Sequence, residues 1–250
     1  MLARLRPARN ATLSETLEIP LTVLDGPRLM PESGRPPRQL VLLLHGFGAS
    51  GDDLIGLAEA WRDPLPEAAF IAPHAPEGMP FADLAGRQWF GLQTFTPDEL
   101  WRGVRRAGPL LDAFIDQELA RLSLGSGDLA LVGFSQGTMM ALHVGLRRRI
   151  APAAIVGYSG IIAGAEHLGD DIQSAPPVLL VHGDQDEVIP AKALELTRDS
   201  LAAAQVVVEW HLRPGLGHGI DPIGLAMGGG FLRQAFGGGK GKTTKVMSDR

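Results

Sequence analysis

The residues best placed to do chemistry in this chain are Ser135, the carboxylates Asp184 and Asp186, and His218, met in that order. A serine hydroxyl is a weak nucleophile until an imidazole takes its proton. The imidazole needs a carboxylate to fix its tautomer and stabilise its cation. Ser135 is the centre of Gly133-Phe-Ser-Gln-Gly137. In a Gly-x-Ser-x-Gly turn between strand and helix the serine is strained, and its hydroxyl stands above the sheet. Residues two places to either side crowd such a turn, so glycine fits there most easily. In a chain with 32 glycines the pentapeptide alone is a modest signal, because a flexible turn reads the same way. Its surroundings decide: Leu129 to Val132 is an apolar run suited to a buried strand, and Thr138 to Arg149 has the composition of a helix.

The stretch Val178-Leu-Leu-Val-His182 leads into Gly183-Asp184-Gln-Asp186-Glu-Val-Ile-Pro190, and either aspartate could receive the Nδ1–H of a histidine. Either could instead cap a helix. His218 lies in Pro214-Gly-Leu-Gly-His-Gly219, a loop after the last strand and before a helix that Asp221 could cap. A lone loop histidine is ordinarily just solvated. Here the order serine, aspartate, histidine, each after a strand, matches a nucleophilic triad. The oxyanion of such a reaction needs two backbone amides. Gln136, directly after the serine, is one. Phe47, in the loop His45-Gly-Phe-Gly48, is expected to be the other.

Two patterns point elsewhere. Gly46-Phe-Gly-Ala-Ser-Gly51 fits the dinucleotide fingerprint, but the next strand, Ala68 to Ala72, ends in Pro73-His-Ala-Pro76 without the acidic residue an NAD(P)-binding oxidoreductase needs. Gly241-Lys-Thr243 resembles part of a phosphate loop, yet position 236 is Phe where a glycine is required. A non-catalytic binding protein would normally have lost a member of the triad, and all members are present. The histidines show no metal-ligand spacing, so neither metal nor cofactor is expected.

The elements that must position these groups alternate. Apolar runs at 17–25, 39–45, 68–72, 129–132, 153–156, 178–182 and 206–212 read as strands. Helical patterns fall at 52–61, 98–122, 138–149, 190–204 and 221–236, with Pro109 expected to kink or split the second. Continuous apolar runs mark strands buried on both faces, and the alternation implies an α/β fold with a mostly parallel sheet and helices on both faces. One domain over residues 1–236 is expected, its first fifteen or so residues loose, with 237–250 a disordered tail. A chain of 250 residues can bury roughly 70–75% of its unfolded surface.

Net charge is −5, so no basic field invites nucleic acid or acidic lipid. No apolar run approaches the ~20 residues of a membrane span. The absence of cysteine removes disulfides and thiolate chemistry and fits a cytoplasmic protein. The basic N-terminus lacks an apolar core behind it, which argues against a secretory signal.

Taken together, the chain resembles the phospholipase/carboxylesterase family of α/β-hydrolases, which includes the acyl-protein thioesterases. The resemblance rests on Leu44-His-Gly-Phe-Gly48, Trp89-Phe90, Gly133-Phe-Ser-Gln-Gly137, His182-Gly-Asp-Gln-Asp-Glu-Val-Ile-Pro190 and Gly217-His218, from residue 40 to about 235. It implies Ser135 as nucleophile, Asp186 rather than Asp184 as orienting acid and His218 as base. It also implies hydrolysis, without a cofactor, of short- to medium-chain carboxylic esters. Acyl-protein or acyl-CoA thioesters and lysophospholipids are the alternative substrates. The expected partner is thus a small ester or thioester, with a homodimer as the expected assembly. Gly91 stands where relatives commonly carry Asp, and Thr138 where many have Gly; both bear on substrate contacts more than on the triad.

Trp89, Phe90 and Leu92, in a Gly/Pro-punctuated connection, either cover the core or line an apolar acyl pocket. Met139 and Met140 are expected to pack the elbow helix on the sheet. Arg147 to Arg149 are expected to complement its dipole.

Overall fold

The computed structural model describes residues 24–80 and 85–237. The strand expected at 17–25 and the tail expected beyond 237 fall almost wholly outside them. In order along the chain, β1 is Arg28–Leu29, β2 Gln39–Leu44, α1 Gly51–Ile55, α2 Leu57–Trp61, β3 Ala68–Ile71, β4 Glu77–Gly78 and β5 Arg87–Gln88. There follow α3 Pro97–Leu122, β6 Leu129–Phe134, α4 Gln136–Gly145, β7 Ala154–Tyr158, α5 Leu168–Asp171, β8 Val178–Gly183, α6 Lys192–Ala203, β9 Val208–Arg213 and α7 Pro222–Gly237.

Seven strands form one sheet in the order β1-β3-β2-β6-β7-β8-β9, parallel except for β1, and β4 and β5 form a small antiparallel ribbon. Because side chains alternate along a strand, β2 divides its leucines. Leu40, Leu42 and Leu44 face a core shared with α3, α4 and α6. Val41 and Leu43 face a second core shared with α1, α2 and α7. The expected architecture, helices on both faces of a mostly parallel sheet, is the one found. The chain leaves β2 toward β3 on one side and returns to β6 on the other. The crevice at the carboxyl ends of β2 and β6 is therefore the switch point where ligands of such sheets gather.

Three local expectations need correction. The helix expected at 52–61 is two short helices meeting at Gly56. The α3 helix runs unbroken through Pro109. Pro109 and Arg105, whose carbonyl proline cannot serve, lie one turn apart on the exposed side of the helix. The α4 helix stops at Gly145, short of the arginines. Arg147 still donates to the His143 carbonyl (3.1 Å) and so caps the helix end, while Arg148 instead reaches Asp112 and Asp116 of α3. Met139 and Met140 are buried against the sheet as expected.

Candidate active site

At the end of β6, Ser135 has φ 53° and ψ −117°, a conformation costing a non-glycine residue on the order of 1–3 kcal/mol. The surroundings hold it there. Its amide donates to the Tyr158 carbonyl of β7 (2.9 Å), and the Thr138 hydroxyl donates to Gly133 O and Tyr158 O (2.8 and 2.9 Å). The flanking glycines are required. A Cβ on Gly133 would lie 2.3 Å from the Thr138 amide nitrogen, and one on Gly137 would lie 1.8 Å from the Leu44 carbonyl oxygen. Thr138, the residue that departs from the family habit, thus stitches the elbow to β7.

The loop after β8 carries two aspartates with different tasks. Asp184 accepts the Gly215 amide (2.7 Å) and so holds the histidine loop. Asp186, its carboxylate shut off from solvent, accepts the His218 Nδ1–H at 2.8 Å with Oδ2. Its Oδ1 takes the amides of Val188 and Ile189 (2.9 and 2.8 Å). Burial pushes the Asp186 pKa up; the His218 hydrogen bond and the Ile189 and Val188 amides outweigh that and hold it below its ordinary value. The carboxylate is therefore charged and aimed at the imidazole. His182, buried at the end of β8, donates from Nε2 to Ile189 O (2.8 Å) and lies 3.3 Å from Asp186 Oδ2, supporting the same turn.

The His218 ring packs on Phe134, the residue before the serine, with ring centroids 4.9 Å apart. Its neighbour Gly219 accepts the Ser159 hydroxyl (3.2 Å). Asp221 caps α7 through the Gly224 amide (2.7 Å) and pairs with Arg213. Aspartate and histidine are thus joined, and the imidazole is brought beside the elbow. Among the described residues Ser135 Oγ makes no hydrogen bond to it; such contacts commonly tighten only around bound substrate.

On the other side of Ser135 lies the loop after β2. A Cβ on Gly46 would sit 3.2 Å from the Ser135 Cβ, so this backbone runs directly beside Ser135. Gln136 opens α4, where an amide has no partner within the helix. The Phe47 amide donates to no backbone carbonyl of the described residues. Two unspent N–H groups therefore flank Ser135.

Trp89 and Phe90 do not line an open pocket. They are 1% and 0% exposed and packed in the core, the first of the two roles left open for them. The Trp89 indole N–H is held by His45 O (3.0 Å), and the Phe90 ring occupies the space a side chain at Gly103 would need. Of the three, Leu92 alone keeps some exposed surface. Sequence reasoning had missed the side chains of Gln136, His45 and His182. The signal available was a polar residue ending, or just following, an otherwise wholly apolar strand. Among the described residues no group of three or more His, Asp or Glu side chains is arranged to hold a metal ion. Among the described residues no helix is long and apolar enough to cross a membrane.

Known proteins are similar to this chain over most of its length. Acyl-protein thioesterase 1 of Gibberella zeae is 29% identical over 210 residues, spanning 78% of this chain and 89% of its own. Esterase YpfH of Escherichia coli K12 is 30% identical over 190 residues, spanning 75% and 78%. The crystal structure of esterase PE8 superposes with a TM-score of 0.81 at 41% identity, covering 85% of this chain and 99% of that one. The pattern of the phospholipase/carboxylesterase family extends over residues 29–235, and with that span the chain belongs to this family and has its α/β-hydrolase fold.

Proposed function

We propose that the protein is a serine carboxylesterase that cleaves short- to medium-chain carboxylic esters through an acyl-enzyme. Ser135 Oγ attacks the carbonyl carbon while His218 Nε2 removes its proton. The charge forming on the imidazole is stabilised by Asp186, and the oxyanion is received by the amides of Phe47 and Gln136. His218 then returns the proton to the leaving alcohol, and water, deprotonated by the same imidazole, releases the acid. The observation that carries the reading is the strained Ser135 elbow flanked by a buried Asp186 carboxylate hydrogen-bonded to His218 on one side and unspent amides on the other.

A second reading, hydrolysis of acyl groups carried as thioesters on a larger partner, draws on the exposed rim. Phe47 and Val188 are 39% and 60% exposed, which leaves the approach open to a bulky carrier. A panel of p-nitrophenyl esters and acyl-CoA thioesters of rising chain length, together with labelling by a fluorophosphonate, tests both. Ser135→Ala should abolish labelling and turnover. A mutant keeping a tenth of wild-type turnover would remove the nucleophile assignment, and a preference for thioesters would select the second reading.

A further inference from the structure

The two amides flanking Ser135 come from separate parts of the chain, yet buried hydrogen bonds join them. His45, fully buried at the end of β2, accepts the Ala75 amide on Nε2 (2.9 Å). A nitrogen that accepts carries no proton, so the ring's one proton is on Nδ1, which lies 2.8 Å from Gly46 O and donates to it. Burial depresses the His45 pKa, in keeping with this neutral tautomer. Gly46 O and the Phe47 N–H belong to one planar trans peptide and point opposite ways. Holding the carbonyl therefore aims the amide. One residue further, the Gly48 amide donates to Arg87 O (2.9 Å), so the chain is gripped on both sides of Phe47.

The circuit continues to the other donor. His45 O accepts the Trp89 indole N–H (3.0 Å). The Gln136 side chain accepts the Trp89 amide on Oε1 and donates from Nε2 to Phe90 O, both at 2.8 Å. Gln136 is itself the residue whose backbone amide is the second donor.

We propose that His45 is a positioning residue that aims the Phe47 amide at the developing oxyanion, and that Trp89 and the Gln136 side chain lock it in register with the Gln136 amide. This rests on the reading of Ser135 as nucleophile. The alternative is a purely structural His45, which steadies the fold through Ala75.

Two conservative variants separate these roles. Asn at position 45 can present an N–H near the place of Nδ1, and Gln can present an oxygen near the place of Nε2. Positioning predicts that His45→Asn keeps kcat for a p-nitrophenyl ester within about tenfold, while His45→Gln loses about 10²-fold, with KM within about threefold for both; one lost oxyanion donor typically costs 10²–10³. Inhibition by a trifluoromethyl ketone, which forms a charged oxygen at the same place, should weaken in proportion to kcat. His45→Gln equalling or exceeding His45→Asn in kcat, or a loss confined to KM, overturns the proposal. Should neither variant fold, Trp89→Phe keeps an aromatic ring and removes only the N–H to His45 O. It should lower kcat about tenfold at constant KM, and an unchanged kcat overturns the circuit. Ser135→Ala, assayed alongside, separates the two failures: an active Ser135→Ala removes the reading beneath, whereas an inactive one beside a fully active His45→Gln removes only this inference.

Discussion

The two ends of α4 show what separates a reactive centre from a cavity. At the N-terminal end the backbone is strained at Ser135, and the Thr138 side chain and the Gly133 and Tyr158 carbonyls beside it are tied down. At the C-terminal end, eight residues on, a cleft of about 540 Å³ opens between α3, α4 and α5, lined among others by Trp101, Arg105, His143 and Arg147. It holds none of Ser135, Asp186 and His218. Its polar groups are loosely managed: His143 Nδ1 and Arg147 Nε are buried without partners among the described residues. Arg147 and Asp171 pair there, and Asp112 pairs with Arg148 beside it. Volume alone does not locate chemistry. Strain held in place by its surroundings, together with aimed donors, does.

The sharpest way to break this contrast is at Ser135. Ser135→Ala should lower kcat by on the order of 10⁴-fold or more in a p-nitrophenyl ester assay. His143→Leu at the far end should leave kcat within twofold. Next, Asp186→Asn should cost 10²- to 10⁴-fold in kcat because it offers His218 the wrong tautomer, while Asp184→Asn, which only loosens Gly215, should stay within about tenfold. The reverse ranking would move the orienting role to Asp184.

Smaller effects fall on stability. Gly137→Ala drives a Cβ into the Leu44 carbonyl and should cost on the order of 3 kcal/mol, or prevent folding, as read from urea midpoints. Gly108→Ala, at the loose end, meets the His143 ring at 2.9 Å and the Val144 side chain at 3.8 Å, and should change stability by about 1 kcal/mol or less. A further effect on stability is a pH dependence. Burial, then the nearby Arg147 cation, lowers the His143 pKa from 6.5 to about 3. Between those values the unfolded chain binds more protons, so this residue's stabilisation is complete above pH 6.5 and is lost as pH falls toward 3. His143→Leu should therefore reduce the loss of stability between pH 7 and 4.5 by on the order of 2 kcal/mol. An unaltered loss would mean that the ring is already hydrated.

Much of this was legible in the chain because short-range chemistry wrote it. Gly-x-Ser-x-Gly is a steric statement about one turn, and runs such as Gln39 to His45 can hardly be anything but central strands. Boundaries were less legible. Tertiary contacts let α3 pass Pro109, and Gly56 divided a helix that periodicity read as whole. The role of Trp89 and Phe90 stayed open in the sequence because an aromatic in a loop looks the same whether it lines a pocket or closes the core.

Residue types and their order were sufficient, without coordinates, for the sheet class, the serine turn and the set of acid and base residues, because these follow from backbone sterics and alternating hydrophobicity. Which aspartate faces His218, what His45 and Gln136 hold, and where Trp89 lies depended on strands distant in the chain meeting along one edge. No local rule encodes that meeting; it follows only once both cores are packed.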